Sequence, residues 1–200
     1  MTYLFDIGNV LLSFNFTPAL ESLKGPEAAP DALEKIIAAK DEFEAGRTQL
    51  SDYLPKVYQW LDFQGSAYDF SAAWNSIFTP IPETWALAET LKKEGHRLIL
   101  FSNTNPIHAP FIVEEYPVFD LFDAAVFSHE IGAIKPEETF FTRAFEQFQI
   151  IPEETIYIDD LPENIGMGKQ LGLHSFCYDY HNHSALLKWL DQQSFHASSS

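Results

Sequence analysis

Four clusters of polar residues in this chain each follow an apolar run or a turn signal. Asp6 ends Tyr3-Leu-Phe5 and opens a Gly-containing turn; Ser102-Asn-Thr-Asn105 follow Arg97-Leu-Ile-Leu-Phe101; Lys135 stands before Pro136; Asp159-Asp160 end Thr155-Ile-Tyr-Ile158, with Asn164 a turn later. A carboxylate at the end of a buried strand is costly unless a metal, a cation or several hydrogen bonds meet it, so Asp6 requires partners. Taken singly, Asp159-Asp160 could cap a helix, Lys135 could be a solvated charge and Ser102 a turn residue. Taken together they describe a site. Asp6 and Asp160 are hard oxygen donors of the kind that hold Mg²⁺, which keeps its remaining positions for water and substrate phosphate. The Ser102 hydroxyl and the amides at the start of the next helix form a phosphate cradle along a favourable dipole. Lys135 adds a point positive charge. With phosphorus held in line, Asp6 can attack it to give an aspartyl-phosphate that water hydrolyses.

The elements that must position these groups read as a parallel sheet with crossover helices from Pro82 onward. Helices are predicted over Glu83 to Glu94, from Pro106, from Pro136 to Phe148, from Pro162 to Gly172 and from Ser184 to Gln192, with a frayed tail over 196–200. Strands are predicted at Arg97 to Ser102, Ala124 to Phe127, Thr155 to Ile158 and Leu173 to Tyr178. Ligands of an open parallel sheet bind beyond the carboxyl ends of its strands, the edge at which all four clusters fall. Between the first strand and Pro82 the pattern changes: Pro30 to Glu44, Ser51 to Asp62 and Ala67 to Phe78 read as helices with no buried strand among them. The division is therefore a core of 1–14 and 81–200 and a helical insertion of 15–80. Phe43, Tyr53, Tyr58, Trp60, Phe63, Trp74 and Phe78 are expected to form the insertion's own core rather than a stacking platform.

Composition bounds the partners. The 200-residue chain is 46% apolar, enough for a substantial core. Its 29 acids against 12 Lys plus Arg give a net charge of −17, which disfavours nucleic acid and anionic membrane surfaces and leaves a small phosphorylated metabolite as the expected partner. One metal and one lysine suffice to reverse the field locally. No apolar stretch is long enough to span a bilayer and the first residues do not read as a signal peptide, so a cytoplasmic enzyme or binding protein is expected. Oligomeric state is not set by these patterns. Cys177, the single cysteine, reads as a buried core residue.

The four clusters resemble, in order, the four motifs of the haloacid dehalogenase (HAD) superfamily: Phe5-Asp-Ile-Gly-Asn-Val-Leu11, Leu100-Phe-Ser-Asn-Thr104, Lys135-Pro136, and Tyr157-Ile-Asp-Asp160 with Asn164. The resemblance implies an α/β fold, a Rossmann-like parallel sheet core with helices on both faces, and makes 15–80 a small α-helical cap. It implies that Asp6 is nucleophile and metal ligand, that Asp160 and the Gly8 carbonyl bind Mg²⁺, and that Asp159 is a ligand through water or a support for Lys135. Ser102, Asn103 and Lys135, with Gly8 and Asn9, would hold the phosphoryl group. Gly-Asn-Val-Leu after Asp6, Glu94-Gly-His-Arg97 and Glu114-Glu-Tyr-Pro117 resemble the bacterial α-D-glucose-1-phosphate phosphatases of the capped subgroup.

One position departs from the superfamily pattern: the second Asp, the usual general acid and base, is replaced by Gly8. Asn9 cannot transfer a proton at neutral pH. Either the leaving group needs little protonation, or Asp41, Glu42, Glu44 or His108 supplies the proton, or the reaction is not phosphoryl transfer. Dehalogenases of the superfamily also lack the second Asp, but they use an Arg soon after the nucleophile, and the first Arg here is Arg47. Arg47 either reaches a substrate hydroxyl or distal anion or pairs with Glu44. A metal- or phosphate-binding protein without turnover is the remaining alternative.

Overall fold

The computed structural model describes residues 1–25, 27–28 and 31–197. In chain order the elements are β1 Thr2–Phe5, β2 Leu12–Phe14, α1 Thr17–Leu23, α2 Ala32–Glu44, α3 Leu50–Leu61, α4 Ala67–Asn75, β3 Phe78–Pro80, α5 Pro82–Lys93 and β4 Arg97–Ser102. They continue with α6 His108–Glu115, β5 Ala124–Phe127, α7 Ser128–Ile131, α8 Glu138–Phe148, β6 Thr155–Asp159, α9 Pro162–Gln170, β7 His174–Cys177 and α10 His183–Ala197. Five strands pair in parallel in the order β5-β4-β1-β6-β7. The first strand of the chain is thus the central one, with Phe5 level with Leu100 of β4 and Ile158 of β6. That register sets Asp6 directly between the ends of its two neighbours, and its amide donates to the Ile158 carbonyl at 3.0 Å.

The sheet is covered on both faces, which is why its strands read as unbroken apolar runs rather than as alternating ones. Tyr3, Phe5, Leu98, Leu100, Ile156 and Ile158 pack against α5, α6 and α10. Leu4, Ile99, Phe101, Val126 and Tyr157 point the other way, toward α8 and α9. Helices α1 to α4 bury a separate cluster that includes stacked Phe43 and Tyr53, with ring centroids 3.9 Å apart, and stacked Phe70 and Trp74. Tyr58, Trp60 and Phe63 pack onto that cluster, whereas Phe78 packs on the sheet side instead.

Several local expectations need correction. The helix expected to Phe78 ends at Asn75, because Phe78–Pro80 pairs antiparallel with Leu12–Phe14 where the chain leaves and rejoins the sheet. Three-residue strands are too short to show a period. The short helices α1 and α7 were not foreseen, for the same reason of length. Pro106 and Pro136 stand two residues ahead of α6 and α8 rather than at their first positions. The start of α6 is fixed instead by Asn105, whose Oδ1 accepts from the amides of Ile107 and His108. Helix α10 continues to Ala197, past the expected end at Gln192. The expected helix start at Pro30 and the tail 198–200 lie outside the described residues. Cys177 is exposed, not core, because it ends the edge strand β7; its thiol donates to the Asp160 carbonyl at 3.4 Å. No helix among the described residues is long and apolar enough to cross a membrane.

Phe140, in the first turn of α8, is fully buried and meets Phe101 edge to face at 4.8 Å. Phe140→Ala is expected to lower the unfolding free energy by about 3–5 kcal/mol, measured by urea denaturation.

Candidate active site

The strand ends converge on Lys135. Its Nζ lies 2.9 Å from Asp6 Oδ1 and 2.6 Å from Asp159 Oδ2, and it donates to the Phe101 carbonyl at 2.7 Å. All three ammonium protons are thereby used. The side chain is 1% exposed, and burial alone would lower its pKa; the charges of Asp159 and Asp6 outweigh that and hold it above the ordinary lysine value. Lys135 stays charged.

Asp159 is the better satisfied of its two carboxylates. Its Oδ2 accepts from Lys135 and, at 2.6 Å, from the Tyr157 hydroxyl; its Oδ1 accepts from the Leu161 amide and from Asn164 Nδ2, each at 2.9 Å. Burial pushes this carboxyl up, but Lys135 and the hydrogen bonds hold it below the usual range. Four donors leave no lone pair for a metal. Of the two roles the motifs allow, Asp159 is thus placed as the support of Lys135 rather than as a ligand.

Asp6 is the poorly satisfied one. Burial pushes its carboxyl up to about 7 against the pull of Lys135, with Asp159 and Asp160 adding to the rise. Asp160 is raised chiefly by its own burial. Donor oxygens of Asp6, Asp159 and Asp160 all lie within 4.8 Å of one another. Three carboxylates against one ammonium leave an excess of two negative charges, and the Oδ1 of Asn164, on the cavity wall, is buried without a hydrogen-bond partner. With Asp159 already satisfied, the oxygens of Asp6 and Asp160 and this unpartnered amide oxygen suit a hard divalent cation such as Mg²⁺.

A cavity of about 310 Å³ opens above these groups. Gly8, Asn9, Ser102 and Asn103 line it as expected, but two of them are engaged differently. Asn9, at φ +52, donates from Nδ2 to Asp160 Oδ2 at 2.9 Å and so aims a carboxylate. Asn103 spans the Lys135 backbone, accepting its amide at 2.8 Å and donating to its carbonyl at 2.9 Å. Its side chain positions the lysine segment. Ser102 is buried at the end of β4, its hydroxyl only weakly engaged by the Asn103 carbonyl at 3.3 Å.

Arg47 does not line this cavity. It points along the surface, bonded to Glu137 at 2.7 Å and 2.9 Å and to Glu42 at 2.9 Å, so neither the substrate contact nor the pairing with Glu44 is formed. Next to it Gly46, at φ +68, packs so tightly on α7 that a Cβ there would lie 2.3 Å from the His129 carbonyl oxygen. These contacts dock the end of α2 on the sheet side of the molecule. Asp41 and Glu42 are exposed, while Glu44 and His108 both line the cavity.

Sequence reasoning missed Tyr157 as a second anchor of Asp159, although its place two residues before Asp159 on the same strand was a signal. It also missed Phe14, Phe16 and Phe78 as an aromatic wall of the cavity. Nothing local marks those three, because β2 and β3 bring them together from opposite ends of the insertion.

Residues 1–172 match the haloacid dehalogenase-like hydrolases, and the chain belongs to that family. It is 24% identical over 182 residues to a D-ribitol-5-phosphate phosphatase of Bacteroides thetaiotaomicron, covering 86% of this chain and 88% of the relative. A glyceraldehyde 3-phosphate phosphatase of Pyrococcus furiosus is 28% identical over 116 residues, 56% of this chain and 48% of that one. Among solved structures, a HAD family enzyme from Bacteroides thetaiotaomicron in complex with magnesium and inorganic phosphate superposes with a TM-score of 0.71 at 25% identity, covering 88% of this chain and 92% of that one.

The raised Asp6 carboxyl makes a linkage prediction. A carboxyl whose folded pKa lies above its unfolded value stabilises the fold below the unfolded value and loses that contribution as pH rises through the folded one. In EDTA, the stability of the wild type relative to Asp6→Asn should fall as pH rises from about 4 to about 7. Urea denaturation of both proteins across that window measures it; a flat difference would show that Asp6 is not held in the strained, protonatable state.

Proposed function

We propose that the protein is a Mg²⁺-dependent phosphatase that hydrolyses a small phosphomonoester, a sugar phosphate, through an aspartyl-phosphate on Asp6. The observation that carries this reading is the buried Lys135 ammonium bridging Asp6 and Asp159 beside Asp160, at the carboxyl edge of the sheet. Lys135 holds Asp6 Oδ1, while Oδ2 lies toward Gly8, a neighbour on the same cavity wall. That oxygen attacks phosphorus, the bond to the leaving oxygen breaks, and the phosphoryl group is carried on Asp6. Water then attacks phosphorus, the bond to Asp6 breaks, and inorganic phosphate departs.

The charge of Lys135, held in place by its three acceptors, and the Ser102 hydroxyl meet the charge that spreads over the transferring oxygens. Asp6, Asp160 and the Gly8 carbonyl would hold Mg²⁺, which supplies further charge neutralisation and aligns the phosphate. In this reading residues 15–80 are the cap over a core of 1–14 and 81–200, and Asp159 and Asn103 are positioning residues. The aromatic wall of Phe14, Phe16 and Phe78 offers apolar contact to the carbon face of a sugar, with Lys40 and Glu44 on the same cavity for its hydroxyls. The names of the ribitol and glyceraldehyde phosphatases agree with such a substrate class; the resemblance to glucose-1-phosphate phosphatases adds one member to the panel to be tried. A dehalogenase reading is opposed by Arg47, which is bound to Glu137 outside the cavity.

Steady-state hydrolysis of ribitol 5-phosphate, glucose 1-phosphate, glyceraldehyde 3-phosphate and 4-nitrophenyl phosphate, with Mg²⁺ and with EDTA, tests the reading. Turnover is expected only with Mg²⁺. Asp6→Asn should lower kcat by on the order of 10⁴–10⁶-fold while remaining folded. Full activity in that variant would remove Asp6 as nucleophile, and a folded wild type inert toward the whole panel would leave a phosphate-binding protein.

A further inference from the structure

Resting on the phosphatase reading, we propose that Glu44 is the general acid and base of this site, reaching the leaving oxygen from the helical insertion and replacing the carboxyl that Gly8 lacks. The position beside the nucleophile is not merely empty of an acid. A Cβ on Gly8 would approach Phe14 Cε1 to 3.1 Å, so the Phe14 ring stands where a side chain would extend. The proton must therefore come from another wall of the cavity.

The titratable groups lining that cavity are Asp6, Lys40, Glu44, His108, Lys135 and Asp160. Asp6, Lys135 and Asp160 are committed to the nucleophile and its electrostatic frame. His108 is held by Asn75 Oδ1 at 3.0 Å and packed among Phe16, Trp74 and Phe78; burial drives its pKa down to about 3, so it carries no acidic proton at neutral pH. Lys40 is half-exposed and lies 3.3 Å from Glu44. Glu44 is the remaining carboxyl.

Its placement is built, not incidental. Glu44 is the last residue of α2, buried, with the sharp turn at Gly46 pressed on His129 and Arg47 bonded to Glu137 directly after it. These two contacts anchor the end of α2 beside the cavity that Glu44 lines together with Asp6 and Lys135. Burial raises its pKa against the pull of Lys40, and its place at the negative end of α2 acts in the same direction as burial. The charged and titratable groups that face it are Lys40, Asp41, Lys135 and the Tyr53 phenol. A phosphate dianion entering beside it adds negative charge and favours the protonated carboxyl further.

The chemistry balances. As Asp6 Oδ2 bonds to phosphorus and the phosphorus–leaving oxygen bond breaks, the Glu44 proton passes to the leaving oxygen, which departs as an alcohol. The Glu44 carboxylate then takes a proton from water as the water oxygen bonds to phosphorus. Asp6 leaves as a carboxylate and Glu44 is protonated again, ready for the next substrate.

Glu44→Gln keeps the shape and hydrogen-bonding capacity of the side chain but cannot transfer a proton. The quantity to measure is kcat/KM, which reports the step that breaks the leaving-group bond, for an alkyl or sugar phosphate and for 4-nitrophenyl phosphate, whose leaving group departs unprotonated. The ratio of the two values is expected to fall by about 10²–10⁴-fold in Glu44→Gln, while inorganic phosphate with Mg²⁺ raises the Tm of variant and wild type alike. Glu44→Asp, which keeps a carboxyl, should retain most of the wild-type ratio. Equal losses on both substrates in Glu44→Gln, or the same ratio change in Glu44→Asp, would overturn the assignment. A wild type inactive on both substrates would instead refute the phosphatase reading beneath it.

Discussion

An ammonium buried between two buried carboxylates is a demanding arrangement, because desolvating three charges costs several kcal/mol per ion unless geometry and hydrogen bonds offset it. At Lys135 that condition is met on one side and left open on the other. Asp159 has a donor for every lone pair, from Lys135, Tyr157, Leu161 and Asn164. Asp6 has one Lys135 proton, and burial, only partly opposed by that ammonium, raises its pKa toward neutrality. The asymmetry separates a fully satisfied carboxylate from one left open toward the cavity. It also leaves the negative excess that a divalent cation would neutralise.

The rest of the core follows from keeping that cluster in register. β1 lies between β4 and β6, so their ends deliver Asp6, Ser102 and Asp159 side by side, and both faces of the sheet must be apolar to hold the strands at that spacing. The residues between strands then fix the segments the strands cannot reach. Asn103 clasps the Lys135 backbone, Asn105 starts α6, and Ser128 exchanges hydrogen bonds with the Thr104 amide and carbonyl. A cluster of this kind tolerates little displacement, since each lost partner leaves a buried polar group unpaired.

The insertion solves a different problem. Helices α1 to α4 carry a core of their own, and they meet the sheet side through specific contacts: the Gly46 backbone against His129, the Arg47–Glu137 pair, and His108 of α6 bonded to Asn75 and packed against Phe16 and Trp74. The exposed ion pair contributes little energy by itself, whereas the close backbone approach at Gly46 sets the distance. Together they decide which residues of α2 look into the cavity. Glu44 does, Glu42 does not, although both are carboxylates on the same helix.

The clusters at the strand ends, their order, the helical character of most of the insertion and the departure at Gly8 were all legible in the sequence, because each is a local matter of residue type next to a buried apolar run. β2 and β3 were not, since three-residue strands have no period and are made only by pairing residues distant in the chain, Leu12 with Pro80, Ser13 with Thr79 and Phe14 with Phe78. The partner taken by each polar side chain was likewise settled in three dimensions. Asn9 turned to Asp160 151 residues away, Asn103 to Lys135, and Arg47 outward to Glu137. Sequence determined which chemical groups would stand at the active edge; tertiary structure decided which of them are satisfied and which are left facing the cavity, because satisfaction depends on neighbours that only the closed sheet and the docked insertion bring within hydrogen-bond reach.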